Sequence, residues 1–254
     1  MNKKSPIVWL SANVFGLKML EHLQSSFPGV ISDIITLDEG STTVMYDGVE
    51  KNAWGTFGLP IHGIKDSEGL ERLLNTLAPD IVFMCGWRQM LPPSVLVLPK
   101  RGFVGFHPTL LPKGRGPSPI INSIMTGLTR SGVTMFYPDQ RVDSGDIIGQ
   151  EEFDILVDDD AEAVYGKVIR AGWMLLNRFF SQLLLGVAPR VKQEEVDATY
   201  FPKRTLADNE IMPEDSSETV YRKIKALSWP YRGAFLRIGG KKLIIRKAEM
   251  PDEK

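Results

Sequence analysis

The sequence is poor in the side chains that usually bind metals. It contains a single cysteine, Cys85, and three histidines among 254 residues. One thiol excludes an internal disulfide and any cysteine-rich metal centre. The histidines form no H-x-x-x-H pair, and one histidine with a carboxylate pair does not make a zinc site. We therefore expect no metal site.

An excess of charge and long apolar runs are lacking as well. The 30 Lys and Arg residues nearly balance the 31 Asp and Glu residues, which gives a formal net charge of −1. Proteins that bind nucleic acid usually carry a basic excess, so we expect no nucleic-acid partner. No apolar run reaches the ~18 residues that cross a bilayer, and no signal-peptide h-region follows the basic start. We expect a cytoplasmic protein without a membrane segment.

Two phosphate-binding fingerprints are also missing. The turn after the first predicted strand reads Ser11-Ala-Asn-Val-Phe-Gly16, which is not G-x-G-x-x-G. No G-x-x-x-x-G-K-[ST] loop occurs anywhere in the chain. Neither a dinucleotide cofactor such as NAD nor a P-loop nucleotide is therefore indicated.

Short apolar runs alternate with amphipathic segments along most of the chain. The predicted strands are residues 6–12, 30–37, 81–85, 103–106, 132–137 and 147–155. The predicted helices are residues 14–24 after Asn13, 66–77, a short one from Pro92, 119–125 after Ser118, and 161–185 after Asp160. Residues 39–63 are predicted to form a loop with little regular structure. This order favours an α/β fold with a Rossmann-like, mostly parallel sheet and helices on both faces.

The last part of the chain differs in character. Residues 217–227 form a short amphipathic pattern, and two short strands at 234–238 and 242–246 flank Gly239-Gly240 as a hairpin. We expect a catalytic domain over residues 1–196 and a small β-containing appendage over residues 197–254. An exposed edge of that appendage could pair two copies in a homodimer.

Candidate reactive residues gather in a few places. His107 follows a predicted strand, and Asp143 and Asp146 flank Ser144-Gly145 further along the chain. An imidazole and a carboxylate together suit general acid–base chemistry. From local sequence alone, a core histidine bonded to a carbonyl is an equal interpretation, and the aspartates fit ordinary turn chemistry. Lys113-Gly-Arg-Gly116 could cradle an anion or form a solvated loop.

A second candidate contact lies at the end of another predicted strand. Gly86-Trp-Arg-Gln-Met-Leu91 follows the apolar run 81–85 directly. Open α/β sheets bind ligands outside the carboxyl ends of their strands, so this loop is a candidate ligand contact. Met90 and Leu91 could equally cover the end of the sheet.

Three sequence blocks together resemble the 10-formyltetrahydrofolate-dependent formyltransferases. The blocks are His107-Pro-Thr-Leu-Leu-Pro-Lys-Gly-Arg-Gly116, Ser131-Gly-Val-Thr134 and Val142-Asp-Ser-Gly-Asp-Ile147. The family includes glycinamide ribonucleotide, methionyl-tRNA and amino-sugar formyltransferases. Segments 85–91, 198–205 and 229–235 extend the resemblance over nearly the whole chain.

The resemblance implies specific roles. The catalytic histidine falls on His107 and its aspartate on Asp143. Folate would bind to Trp87, Arg88, Gln89, Met90 and Leu91, and to Tyr137, Asp139 and Val142 of the loop 137–142. No metal is implied, and 10-formyltetrahydrofolate is the co-substrate.

One position departs from the family pattern. The family carries an asparagine two residues before the histidine, as an oxyanion donor, and this chain has Gly105 there. Losing one such donor costs ~3 kcal/mol of transition-state stabilisation. A backbone N–H, protonated His107 or Asn122 could replace it; otherwise catalysis is slow or lost.

The acceptor that the resemblance implies is an amino sugar. The near-zero net charge and the small, mildly basic appendage argue against tRNA. A nucleotide-linked amino sugar for a surface glycan such as an O-antigen is the expected acceptor, with Lys113 and Arg115 meeting its phosphates and Asn13 and Thr109 lining the cleft. Methionyl-tRNA formylation, hydrolysis of formyltetrahydrofolate and a catalytically decayed folate-binding protein remain as alternatives.

Overall fold

A seven-stranded sheet forms the centre of the computed structural model, which describes residues 6–39, 41 and 46–250. The strand order is β3-β2-β1-β4-β5-β6-β7. The first five strands run parallel, whereas β6 and β7 are antiparallel to their neighbours. The strands are β1 Ile7–Leu10, β2 Asp33–Leu37, β3 Ile61–Ile64, β4 Ile81–Met84, β5 Phe103–His107, β6 Arg130–Phe136 and β7 Ile147–Asp154.

Helices cover both faces of this sheet. They are α1 Val14–Ser26, α2 Ser67–Leu77, α3 Pro93–Leu96, α4 Pro119–Met125, α5 Ala161–Leu185 and α6 Ser217–Ala226. Side-chain caps begin several of them, as the sequence predicts. Asn13 accepts from the Gly16 N–H and Asp160 from the Ala163 N–H, which satisfies backbone donors that the first helical turn leaves free.

The strands are apolar on both sides because both sides are covered. In β1, Trp9 packs into a core with α1 and α5, whereas Val8 and Leu10 pack into a second core with α2 and α3. Successive strand side chains point to opposite faces, so a short continuous apolar run supplies both cores. The predicted Rossmann-like α/β class is confirmed.

Two local predictions are wrong. The predicted loop 39–63 contains a 3-10 helix, Lys51–Phe57, and the edge strand β3; its residues 40 and 42–45 lie outside the described residues. The β3 sequence Ile-His-Gly-Ile has little apolar character, and it is a strand because its backbone pairs with β2. Ser118 precedes α4 at φ 55° and makes no side-chain cap bond.

The carboxyl-terminal part adds α6 and a hairpin of β8 Ala234–Ile238 and β9 Lys241–Ile245. Ile224, Leu227 and Ala234 join the same core as α1 and α5. The boundary between 196 and 197 stays a prediction, and the two parts share one apolar core. Among the described helices, none is both long and apolar enough to cross a membrane.

Candidate active site

A cavity of about 660 Å³ opens at the carboxyl edge of the parallel strands. The strand order places β1 beside β4 at the centre, with β2 and β5 outside them, so connections leave to both sides of this point. Such switch points leave a crevice in α/β sheets. Loops after β1, β4 and β5 and the turn between β6 and β7 meet there, and they contribute Asn13, Trp87, His107 and Asp143 to the wall.

His107 is the last residue of β5 and is only 6% exposed. Its Nε2 lies 2.8 Å from the Gly114 carbonyl oxygen. A carbonyl only accepts hydrogen bonds, so Nε2 carries the proton. In the neutral ring the lone pair is therefore on Nδ1, the nitrogen that faces Asp143. The predicted bond to a carbonyl is present at Nε2, and the reactive role of the ring stays a prediction for Nδ1.

The Gly114 carbonyl is itself held by the start of the carboxyl-terminal segment. The Gly114 N–H donates to Thr199 Oγ1 at 2.8 Å, and the Arg115 N–H donates to the Thr199 carbonyl at 2.9 Å. The Phe201 N–H returns a bond to the Arg115 carbonyl at 2.8 Å. These bonds fix the loop that selects the tautomer of His107.

Asp143 Oδ2 lies 3.5 Å from His107 Nδ1 and accepts the Gly116 N–H at 2.8 Å. Asp146, at the other end of the turn, has a different partner: its Oδ2 lies 3.7 Å from Arg190 Nη1. The carboxylate of Asp143 faces Nδ1, the ring nitrogen that is not bonded to Gly114. The structure thus brings together the histidine and the aspartate that the sequence singles out.

The turn that presents Asp143 has an unusual backbone. Asp143 adopts φ 48°, a left-handed conformation that few non-glycine residues take. Gln193 Nε2 clamps the turn by donating to the carbonyls of Asp143 at 2.9 Å and Gly145 at 2.8 Å. A Cβ on Gly145 would lie 1.7 Å from the Tyr137 carbonyl, so only glycine fits there. Strain of this kind is often found at reactive residues.

A side chain at position 105 would crowd its neighbours. A Cβ built on Gly105 would lie 3.0 Å from Pro138 Cγ and 3.1 Å from Phe136 Cε1. Asn122, considered above as a replacement, is buried on α4 and does not line the cavity. Its Nδ2 donates to the Pro117 carbonyl at 3.0 Å. Asn122 is therefore not placed to act on a ligand in this cavity.

The loop after β4 lines the cavity along its whole length, and Trp87, Arg88, Gln89, Met90 and Leu91 all contribute. Gly86 precedes them at φ +66°, and a Cβ there would lie 2.2 Å from Asn13 Nδ2. This glycine lets the loop pass close to the end of β1. Trp87 Nε1 is buried and has no hydrogen-bond partner among the described residues.

Several predicted contacts lie elsewhere. Asp139, Val142 and Asn13 line the cavity, but Tyr137, Thr109, Lys113 and Arg115 do not. The Tyr137 ring instead lies under the Arg190 guanidinium, 3.6 Å from its centre. These four residues therefore lie outside the cavity wall, and their roles in binding stay predictions.

The guanidinium of Arg115 is buried and bonded to other residues of the chain, although the basic loop sequence also fits an anion-binding site. Its side chain is 0% exposed, and its guanidinium donates to Gln193 Oε1 at 2.9 Å, to the Glu195 carboxylate at 3.0 Å and to the Tyr200 hydroxyl at 2.8 Å. The charge is therefore used to hold the chain segment 193–200 against the loop. It is not presented to a ligand.

A buried carboxylate in the cavity wall was missed from the sequence. Asp47 is 6% exposed. Its Oδ2 accepts from the Tyr165 hydroxyl at 2.6 Å and Asn13 Nδ2 at 3.0 Å, and its Oδ1 accepts from Arg88 at 3.1 Å. Burial, together with the neighbouring Asp47 charge, raises the pKa of Tyr165 well above its usual range. Nothing local in a polar loop sequence predicts this group of hydrogen bonds, because the partners of Asp47 come from α5 and from the loops after β1 and β4.

Tyr231 and Lys203 also line the cavity, and both come from the carboxyl-terminal segment. Burial raises the pKa of Tyr231 above its usual range. Within the described part of the chain, no group of three or more His, Cys, Asp or Glu residues is arranged to hold a metal ion.

A second groove of about 660 Å³ lies beside β3 and α2 and is lined by Asp38, His62, Lys65, Asp66 and Arg72 among others. His62 there is bonded to Asp33 at 2.8 Å. The groove contains neither His107 nor Asp143, so we locate the candidate active site in the first cavity.

Comparison with known sequences gives consistent matches. The model of the formyl transferase family matches residues 63–178. The methionyl-tRNA formyltransferase of Syntrophus aciditrophicus (strain SB) is 32% identical over 249 residues, which covers 95% of this chain and 78% of that protein.

Solved structures share the fold. A 4-N formyltransferase from Francisella tularensis superposes with a TM-score of 0.77 at 22% identity and covers 97% of this chain and 98% of that chain. The N-formyltransferase from Helicobacter canadensis, solved in complex with folinic acid and dTDP-3-aminofucose, gives a TM-score of 0.73 at 19% identity over 94% of this chain and 86% of that chain.

Proposed function

This chain belongs to the formyl transferase family and is a formyl-transferring enzyme. We propose that it formylates the amine of a nucleotide-linked amino sugar and that 10-formyltetrahydrofolate is the formyl donor. The pairing of His107 Nδ1 with Asp143 Oδ2 at 3.5 Å, in the wall of a cavity of about 660 Å³, carries the proposal. The product would belong to a pathway for a modified surface sugar.

The residues present fit a reduced folate. Many of the side chains that line the cavity are apolar, which suits a flat ring system. They include Met84, Trp87, Met90, Leu91, Leu96, Phe106, Ile120, Phe136 and Val142. The unpartnered Trp87 Nε1 is a donor available to a polar ring atom. The loop 87–91 and the residues Asp139 and Val142 would hold the folate, and its bound formyl group supplies an activated carbonyl.

His107 and Asp143 would manage the proton of the attacking amine. An amine that attacks a carbonyl becomes positively charged and must lose a proton. His107 Nδ1 is free to accept it because Nε2 already donates to Gly114. Asp143 then stabilises the imidazolium, and the same pair can deliver the proton to the leaving nitrogen.

The acceptor would contact the polar and aromatic residues of the cavity wall. Asn13, Asp47, Tyr165 and Tyr231 supply a polar, aromatic surface of the kind that contacts sugars and their hydroxyl groups. The bound dTDP-3-aminofucose in the Helicobacter canadensis relative supports a nucleotide-linked amino sugar. Arg141, 68% exposed at the side chain, lines the same cavity and is a cation available to phosphates.

Methionyl-tRNA is the second candidate acceptor, because a relative 32% identical over most of this chain carries that name. The formal net charge of −1 counts against it. Proteins that bind a polyanion such as tRNA make several Lys or Arg contacts with phosphates, and they usually carry a basic surface for that purpose.

To test this, the protein is incubated with 10-formyltetrahydrofolate and a panel of dTDP- and UDP-linked 3-amino and 4-amino sugars. A parallel assay uses methionyl-tRNA as the acceptor. Tetrahydrofolate release and product mass are followed. We expect formylation of a sugar and none of the tRNA. Formylation of the tRNA alone would reverse the choice, and formate release without an acceptor would indicate a hydrolase.

Two variants test whether formyl transfer depends on His107. His107→Ala should abolish transfer while the folded state persists. His22→Ala is the matched control, because His22 lies on α1 and bonds to Asn177 rather than lining the cavity. Full turnover by His107→Ala would remove His107 from the mechanism.

A further inference from the structure

The transfer reaction needs a group that stabilises negative charge on the formyl oxygen. When the amine attacks, the carbonyl oxygen becomes an oxyanion, and enzymes place hydrogen-bond donors or cations at that point. This requirement follows from the proposed function, and the inference below rests on it. Gly105 offers no side-chain donor, and Phe136 and Pro138 lie close to the position that a Cβ would take there.

The donors beside His107 are already engaged. His107 Nε2–H is directed at Gly114 at 2.8 Å. The Gly116 N–H is bonded to Asp143 Oδ2 at 2.8 Å. Asn122 donates to Pro117 and lies outside the cavity. None of these groups can turn to an oxyanion without losing the bond it makes.

The cations in the cavity wall differ in whether another residue already binds them. Arg88 donates to the buried carboxylate of Asp47 at 3.1 Å. Arg141 is 68% exposed at the side chain, lies 3.8 Å from Glu195, and is the cation that we assign to the phosphates of the acceptor. Lys203 makes neither a hydrogen bond nor an ion pair with any residue that the structure describes, although it lines the cavity that contains His107. Its ammonium is therefore available to a ligand.

The chain before Lys203 is held against the catalytic loop. The Phe201 N–H donates to the Arg115 carbonyl at 2.8 Å. Gly116 adopts φ +101°, and a Cβ there would lie 3.2 Å from the Phe201 carbonyl. The segment that carries Lys203 thus touches Gly116, the residue whose N–H holds Asp143. Lys203 lines the cavity from this anchored segment, two residues after Phe201.

We propose that Lys203 supplies the electrophilic assistance that position 105 lacks: its ammonium donates a hydrogen bond to the formyl oxygen as the acceptor amine attacks. A full positive charge interacts more strongly with the oxyanion than with the neutral carbonyl of the bound donor. The contact therefore accelerates transfer more than it tightens donor binding. Lys203 is in this sense a catalytic residue of the transfer.

The experiment compares wild type, Lys203→Met and Lys203→Arg, with Lys192→Met as matched control. Lys192 is an exposed lysine outside the cavity. Single-turnover transfer is measured from 10-formyltetrahydrofolate to dTDP-3-aminofucose, or to whichever amino sugar of the panel the wild type formylates fastest. Folinic acid affinity is measured by isothermal titration, and folding by thermal melting.

Lys203→Met should lower the transfer rate about 100-fold, the effect of removing one oxyanion donor. Folinic acid affinity and melting temperature should stay at wild-type values. Lys203→Arg, which keeps a cationic donor, should recover part of the rate, and Lys192→Met should transfer at the wild-type rate.

Two results overturn the assignment while the proposed function stands. One is an unchanged transfer rate in Lys203→Met. The other is a loss of folinic acid affinity that accounts for the whole loss of rate, since Lys203 would then bind the donor rather than assist the reaction. If the wild type itself transfers no formyl group to any amine, the proposed function fails, and the assignment fails with it.

Discussion

Replacing Gly105 by alanine tests why this chain lacks a side chain beside its reactive histidine. The added methyl group would lie 3.0 Å from Pro138 Cγ and 3.1 Å from Phe136 Cε1. Ordinary contacts between carbon atoms are 3.5–4.0 Å (about 0.5 Å longer), so either the proline or the ring must move. Overpacking of this kind costs about 1–3 kcal/mol of unfolding free energy. For a chain of this size we expect the melting temperature to fall by about 2–12 °C.

Thermal and urea unfolding, followed by circular dichroism, measure the effect. Gly55→Ala is the matched control, because a Cβ at Gly55 meets no atom within 4 Å. In the background of Phe136→Leu, which removes the ring atoms that face position 105, the cost of Gly105→Ala should shrink. Such a double-mutant cycle isolates the contact from other effects of each change.

A Gly105→Ala variant as stable as the wild type would refute this reasoning. The neighbours would then give way at no cost, and the packing of Phe136 and Pro138 would not explain the glycine. An equal cost in both backgrounds would also contradict it, because the ring of Phe136 would then not be the atom group that resists the methyl.

Three further predictions concern the site and its supports. Asp143→Asn should stay folded, because asparagine tolerates positive φ and can still accept from Gly116, yet transfer should fall about 100-fold or more, measured by single turnover, since the imidazolium loses its counter-charge. The pKa of Tyr165 is raised in the folded protein, so its contribution to folding stability is complete below its pKa of about 10 in the unfolded chain and is lost as the pH rises toward its pKa in the folded protein. Urea unfolding should therefore show that the free energy of unfolding of the wild type falls in alkali, and that it falls less steeply for Tyr165→Phe. Arg115→Lys should lower the unfolding free energy by about 1 kcal/mol or more, because an ammonium cannot reproduce the planar fork that reaches three partners, and unchanged urea unfolding would contradict the role given to Arg115.

The sheet was predictable where burial on both faces leaves a clear pattern. Strands β1, β4 and β5 are short apolar runs, and the capping residues Asn13 and Asp160 were recognisable from local chemistry. Strand β3 was not predictable, because an edge strand takes its stability from pairing with β2 rather than from its own composition.

The site was predictable only in part for a related reason. His107 and the loop 87–91 follow the carboxyl ends of parallel strands, so a topology prediction brings them together. Asp143 follows the antiparallel strand β6, and only the family resemblance placed it with His107. Lys203 and Asp47 reach the cavity through long-range packing that no local pattern encodes. Arg115 illustrates the converse, since a basic residue between two glycines is indistinguishable in sequence from an anion-binding loop.

The bonds between Thr199 and the loop 114–115 have a consequence for attempts to isolate a minimal catalytic fragment. The carbonyl that fixes the proton on His107 Nε2 belongs to Gly114, and Gly114 is tethered to Thr199, 85 positions later. A shortened chain ending at the predicted boundary of 196 would keep the imidazole and the carboxylate but lose the hydrogen bonds that Thr199 makes with the loop 114–115. The histidine could then exchange between its two neutral forms, and such a fragment would retain the reactive groups without the order that makes them work together.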